Sequence, residues 1–213
     1  MKTDDLTLML SRNAGAVSRH ESELRHLCAL LLGISSAAVL MWLVLGVRPD
    51  LDRALGVTLF WVKPGFPAAL FAGAVIAFLR LSVPGRSPGR VAVMLGTPLI
   101  ILWFFSAVSL LSAPDDAVHD LVFGKTWASC PLLVTVLSMP QFAATFWLLH
   151  ELAPTKPVAT GAVAGLLSGC VGAFFYAFYC PESSLPFIGI WYVLGILIPA
   201  AAGAVLGHRL LRW

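Results

Sequence analysis

The stretch that decides the fold is Val91–Pro114, VAVMLGTPLIILWFFSAVSLLSAP, which holds no Asp, Glu, Lys or Arg over 24 residues. A bilayer core of roughly 30 Å is crossed by about 20 apolar residues in a helix, so this window alone predicts a transmembrane span. Working outward, four further charge-free windows of similar length occur at Leu27–Val47, Thr126–Leu149, Pro157–Pro181 and Ser183–Gly207. The last two are separated by Glu182 and the turn-forming Pro181 and Pro186. A sixth window, Pro64–Leu79, is short and becomes adequate if Lys63 snorkels to the interface while Phe60 and Trp61 lie at headgroup depth. Long unbroken apolar runs exclude a barrel, whose strands would alternate apolar and polar residues over about ten positions.

The expected fold is therefore all-α: a polytopic membrane protein with a bundle of six transmembrane helices and both termini cytoplasmic. Of 213 residues, 59% are hydrophobic and 12% charged, against roughly 25% charged in an ordinary soluble domain. Two units follow: residues 1–26 as a cytoplasmic N-terminal segment and residues 27–213 as the membrane domain. The first 26 residues are too charged for a signal peptide and should be retained. With six spans, ten Lys and Arg fall on the face of the termini and four, Arg48, Arg53, Lys63 and Lys125, on the other. The positive-inside rule then places the termini in the cytoplasm. A net charge of +3, scattered along the chain, argues against direct nucleic-acid binding.

Within the spans, Gly161, Gly165 and Gly169 recur every four residues, as do Gly203 and Gly207, and predict close helix packing inside one chain. Pro98, Pro140 and Pro199 predict local kinks. No ionisable side chain sits at mid-membrane, which argues against a pump or secondary transporter. Gln141 is the only strongly polar side chain deep in a span and reads as an interhelical hydrogen bond.

Of the four cysteines, Cys28 and Cys170 read as structural residues. Cys130 and Cys180 differ, because each precedes proline (Trp127-Ala-Ser-Cys-Pro131 and Phe178-Tyr-Cys-Pro-Glu182) and each falls at the outer end of a span. Two thiols at one surface form a disulfide or capture a soft metal ion. From spacing, a reactive pair, a structural disulfide and coincidence all stay open. Two thiols are too few for a closed zinc site, and His119, the one further ligand in that loop, reads as solvated. In the N-terminal segment, Thr3, Asp4 and Asp5 form a helix start, followed by Leu6, Met9 and Leu10 at helical spacing. Such a short amphipathic helix suits a partner's groove, and its acids favour a basic protein partner.

The opening Met-Lys-Thr-Asp-Asp-Leu6, six spans in about 210 residues, and the sites Cys130-Pro131 and Cys180-Pro181 resemble the negative regulator of sigma factor F family. These are membrane-bound anti-sigma factors of proteobacteria. The resemblance implies a non-enzymatic protein of the bacterial inner membrane, without a cofactor, whose partners are the lipid bilayer and an extracytoplasmic-function sigma factor. It also implies release of that partner when heavy metal or oxidant acts on Cys130 and Cys180. Sigma-factor contact through Thr3–Leu10 follows from position and chemistry. The rival readings are a membrane thiol/quinone electron-transfer protein and a small-solute transporter.

Overall fold

The computed structural model describes residues 19–81, 89–152, 154 and 156–210. Thr3, Asp4, Asp5, Leu6, Met9 and Leu10 lie outside them, as does Arg86. The described residues form helices and turns, with no strand among them. The helices are α1 (Arg19–Val44), α2 (Leu51–Leu55), α3 (Val62–Leu81), α4 (Val91–Leu111), α5 (Asp115–Phe123), α6 (Cys130–Leu152), α7 (Pro157–Tyr176), α8 (Leu185–Phe187) and α9 (Val193–Leu210). A 3₁₀ turn at Thr58–Trp61 leads into α3, and a π turn at Ile188–Tyr192 joins α8 to α9. Six of these units are long and apolar enough to cross a bilayer: Leu24–Val44, Thr58–Leu81, Val91–Leu111, Cys130–Glu151, Pro157–Tyr176 and Leu185–Leu210. The window that looked short at Pro64–Leu79 is lengthened at its start by the 3₁₀ turn.

α7 is the central helix, and glycine puts it there. α9, α6 and α3 all pack on it. A Cβ built on Gly161 would fall on the Gly203 carbonyl oxygen, one on Gly165 on the Pro199 carbonyl oxygen, and one on Gly207 on the Pro157 carbonyl oxygen. On another face, a Cβ at Gly172 would meet the Val134 carbonyl oxygen of α6. The four-residue glycine spacing thus serves packing within the chain, where lipid gives helices no hydrophobic reason to associate and close van der Waals contact must do so.

The hydroxyls along the spans turn back on their own helices. Thr97 donates to the Val93 carbonyl at 2.8 Å, Ser106 to Leu102 at 2.7 Å and Ser168 to Ala164 at 2.7 Å. This satisfies a polar group that the bilayer cannot. Pro67, Pro98, Pro140 and Pro199 all lie inside helices.

Gln141 is fully buried, but neither its amide nitrogen nor its oxygen has a hydrogen-bond partner among the described residues. It lies instead against Gly33 of α1, where a side chain on Gly33 would overlap it. The interhelical polar contact expected of Gln141 falls one turn further on, between Thr145 of α6 and Ser168 of α7 at 3.4 Å.

The spans alternate in direction, as contacts at both ends show. At the terminal end, Arg25 of α1 meets Glu151 at the end of α6 at 3.1 Å. At the opposite end, hereafter the cysteine end, the loop after α7 meets the start of α3 and the loop after α1. α5 closes part of this end: Ser184 donates to the Leu121 carbonyl at 2.7 Å and the Trp191 indole to the Val122 carbonyl at 2.8 Å. These bonds satisfy carbonyls that the end of a helix leaves free.

Candidate functional site

Pro131 occupies the first turn of α6, where proline's missing N–H costs nothing, and so Cys130 is fixed as the first residue of that helix. Its N–H donates to the Thr126 carbonyl at 3.0 Å. Cys180 lies beyond α7, which ends at Tyr176, in a turn whose Cys180 N–H returns to the Tyr176 carbonyl at 3.0 Å. The two residues are 50 positions apart in sequence and share one buried cluster, each with 0% exposure and each a free thiol. Thr126 touches both: its carbonyl receives Cys130, and its hydroxyl lies 4.0 Å from the Cys180 sulfur.

The surroundings of the thiols are more polar than apolar windows suggest. Lys63 does not snorkel outward. It is fully buried, donates its ammonium to the Cys180 carbonyl at 2.7 Å and stands 6.0 Å from the centroid of the Phe60 ring. A buried cation needs close compensation, and a carbonyl dipole with an aromatic face supplies part of it. The Cys180 carbonyl has a second donor in Arg48, at 3.4 Å, and the Arg48 backbone N–H reaches the Phe178 carbonyl at 3.4 Å. Both thiols and Glu182 are electrostatic neighbours of Lys63, as is the like charge of Arg48.

Tyr176 and Tyr192 complete the enclosure. Both are fully buried, their rings 5.6 Å apart. Neither phenol has a well-formed hydrogen bond among the described residues, and the thiols are polar neighbours of both, short of good hydrogen-bond geometry. Outside the spans, Arg48 and Asp50 form a two-pronged pair at 2.6 and 2.5 Å. That hydrogen bonding raises the Arg48 guanidinium above its ordinary value and lowers the Asp50 carboxyl below its own. With a depressed carboxyl, the pair holds above the usual carboxylate range and is lost only as pH falls through the lowered value.

The remaining candidates lie elsewhere. His119 is exposed, 3.7 Å from an Asp120 oxygen and stacked on Phe123. Cys28 is exposed and Cys170 fully buried. No cluster of three or more His, Cys, Asp or Glu suited to a metal ion occurs among the described residues. Two thiols, a buried ammonium and two phenols therefore define the site.

Sequence reasoning found the cysteines and missed Lys63, Arg48, Thr126, Tyr176 and Tyr192. One signal was available: the chain has three tyrosines, and Tyr176 stands one helical turn before Cys180. Lys63 gave none, because its partner is 117 residues away.

Fold and site together define the class: a six-span membrane bundle that buries two thiols beside an ammonium at one end. The chain belongs to the family of negative regulators of sigma F, whose model matches residues 10–213 and so takes in both Cys-Pro sites. It is similar to the probable anti-sigma-F factor NrsF of Azospira oryzae, with 47% identity over 213 residues covering all of both chains. It is also similar to the anti-sigma-F factor NrsF of Caulobacter vibrioides, 36% identical over 218 residues and again covering both chains fully. No solved structure matches it.

Proposed function

We propose that this chain is a membrane-bound anti-sigma factor that holds an extracytoplasmic-function sigma factor at the bacterial inner membrane and releases it when a thiophilic metal or an oxidant acts on Cys130 and Cys180. The observation that carries the reading is the enclosure of both thiols, from distant parts of the chain, beside the buried ammonium of Lys63. In this reading the cysteine end faces the periplasm, as the ten-to-four distribution of Lys and Arg favours. The sigma factor is held from the cytoplasm through the N-terminal segment, with Thr3, Asp4, Asp5, Leu6, Met9 and Leu10 as its contact residues.

Two chemistries serve the signal. An oxidant takes two electrons and two protons from the thiols and leaves a disulfide. A soft divalent cation instead displaces both protons and forms two metal–sulfur bonds. Either joins the start of α6 to the loop that follows α7. A switch then needs two arrangements of the helices with different affinity for the sigma factor. α6 and α7 are the levers, and α1, which packs on α6, leads back to the N-terminal segment.

The test is affinity co-purification from membranes with a candidate sigma factor, before and after cadmium or oxidant treatment. Association lost on treatment, and retained when Cys130→Ser and Cys180→Ser are combined, is the expected result. Normal release from the double variant refutes the thiol mechanism. Absence of any association refutes the anti-sigma reading itself.

A further inference from the structure

Two cavities at the cysteine end meet at one residue. A cleft of about 240 Å³ is lined by Arg48, Asp50, Arg53, Ser183, Leu59 and Phe60 among others, with two cations against one carboxylate. An apolar groove of about 550 Å³ between α3 and α4 runs from Leu59, Phe105 and Leu185 to Ala69 and Thr97. Leu59 borders both, and Ser183 of the cleft stands two residues before Leu185 of the groove, so the charged cleft adjoins the apolar groove. From Leu59 to Ala69 is roughly 15 Å at about 1.5 Å per residue, half of a hydrocarbon core of roughly 30 Å. The groove is thus one leaflet long.

We propose that this cleft and groove bind one anionic phospholipid, its phosphate at Arg53 and Ser183 and one acyl chain in the groove. Charge selects the headgroup. Asp50 is held by its two-pronged pair with Arg48, whereas the exposed Arg53 guanidinium acts on Asp50 only through space and makes no hydrogen bond or ion pair among the described residues. Its charge is therefore available to a phosphate. Shape selects the chain: a volume of about 550 Å³ is in the range of ligand pockets, and only 17% of the α4 window is buried in the protein, so the groove opens to the bilayer. Gly65 forms part of the floor, and a Cβ there would meet nothing within 4 Å. The bound lipid would rest on the loop that carries Cys180, through Ser183 and through Arg48, which also bonds the Cys180 carbonyl. The site stands independently of whether the thiols are the sensor.

The experiment is native mass spectrometry of the full chain released from bilayers of equal phosphatidylglycerol and phosphatidylcholine, with Arg53→Gln and Gly65→Leu beside the parent. Arg53 is exposed and a side chain at Gly65 has room, so both variants should fold, which size-exclusion elution checks. The expected result is one retained phosphatidylglycerol in preference to phosphatidylcholine. Arg53→Gln should lower that preference about fivefold, the effect of one basic residue near an anionic surface, and Gly65→Leu should lower retention of both lipids. Equal retention of the two lipids by the parent overturns the proposal, as does an unchanged preference in Arg53→Gln or unchanged retention in Gly65→Leu.

Discussion

The pair α7–α9 and the pair α1–α6 are both membrane helices in contact, yet they are held by opposite means. α7 and α9 approach until backbone touches backbone at Gly161, Gly165, Gly203 and Gly207. α1 meets α6 through Gly33 beneath an amide without a partner, and through an exposed ion pair at the terminal end. Burial follows suit, at 61% of the α7 window against 22% of the α1 window. A contact made of backbone has one geometry. A contact made of an unsatisfied amide and a solvated ion pair tolerates a second, which a switching helix requires. In the mechanism proposed above, α7–α9 is the frame and α1 the moving element.

The largest expected effect tests the frame. Gly165→Leu places a side chain on the Pro199 carbonyl, which belongs to a helix backbone and cannot rotate away. We expect a loss of about 3 kcal/mol or more, at or beyond the upper range for overpacking, seen as little folded protein in detergent. Normal thermal unfolding of this variant would mean that α9 can separate from α7, and the contrast with α1 would fail.

Next is the clamp on Cys180, which ties the loop that leaves the frame at α7 to the start of α3. Lys63→Met removes the 2.7 Å donor and leaves the carbonyl with Arg48 at 3.4 Å. The lost bond costs about 1–3 kcal/mol, partly offset because the ammonium is no longer desolvated. A net loss of about 1 kcal/mol should lower Tm by roughly 2–4 °C for a chain of this size and speed alkylation of Cys180. If Tm and alkylation both stay at parent values, Lys63 does not hold the loop.

These two residues also mark how far the sequence could be read. Glycine spacing was legible because close approach depends on a missing Cβ, a property of the residue itself. The six spans were legible because a bilayer imposes length and apolarity on each helix alone. Lys63 was misread because a lysine at the edge of an apolar window ordinarily reaches for water, and only a carbonyl from the loop after the fifth span reverses that. Gln141 was misread for a related reason: a hydrogen bond needs a partner on another helix, and rotation about the helix axes gave that contact to Thr145 and Ser168. The π turn at Ile188–Tyr192 has no periodic signature, since its Gly189 carbonyl is claimed at 3.0 Å by Trp103 of α4.

Gln141→Leu tests the soft pair directly. Leucine fills similar space and removes a buried amide that no group among the described residues satisfies, so α1 should sit more firmly on α6 by about 1 kcal/mol. Tm should rise, and release of the sigma factor by cadmium should need a higher dose. A lower Tm would show that the amide does find a partner in the bilayer. A higher Tm with unchanged release would separate α1 stability from signalling and remove α1 as the moving element.

The smallest effect is expected at the terminal end. Arg25 and Glu151 stand 3.1 Å apart, but their side chains are 65% and 40% exposed. Exposed pairs contribute about 0–1 kcal/mol, so Arg25→Gln should change Tm by no more than roughly 2–4 °C for a chain of this size. Its value lies in position, because the pair joins the last turn of α6 to α1 close to the proposed sigma-binding segment. If α6 carries the signal rigidly, cutting this tie leaves Gln141 and Gly33 as the remaining route, and release by cadmium should weaken while binding before treatment is unchanged. Full release from Arg25→Gln, with loss only when Gln141 is also replaced, would place the coupling at mid-membrane. Loss of binding before treatment would mean instead that the ion pair positions the N-terminal segment for its partner, and α1 would then belong to the frame.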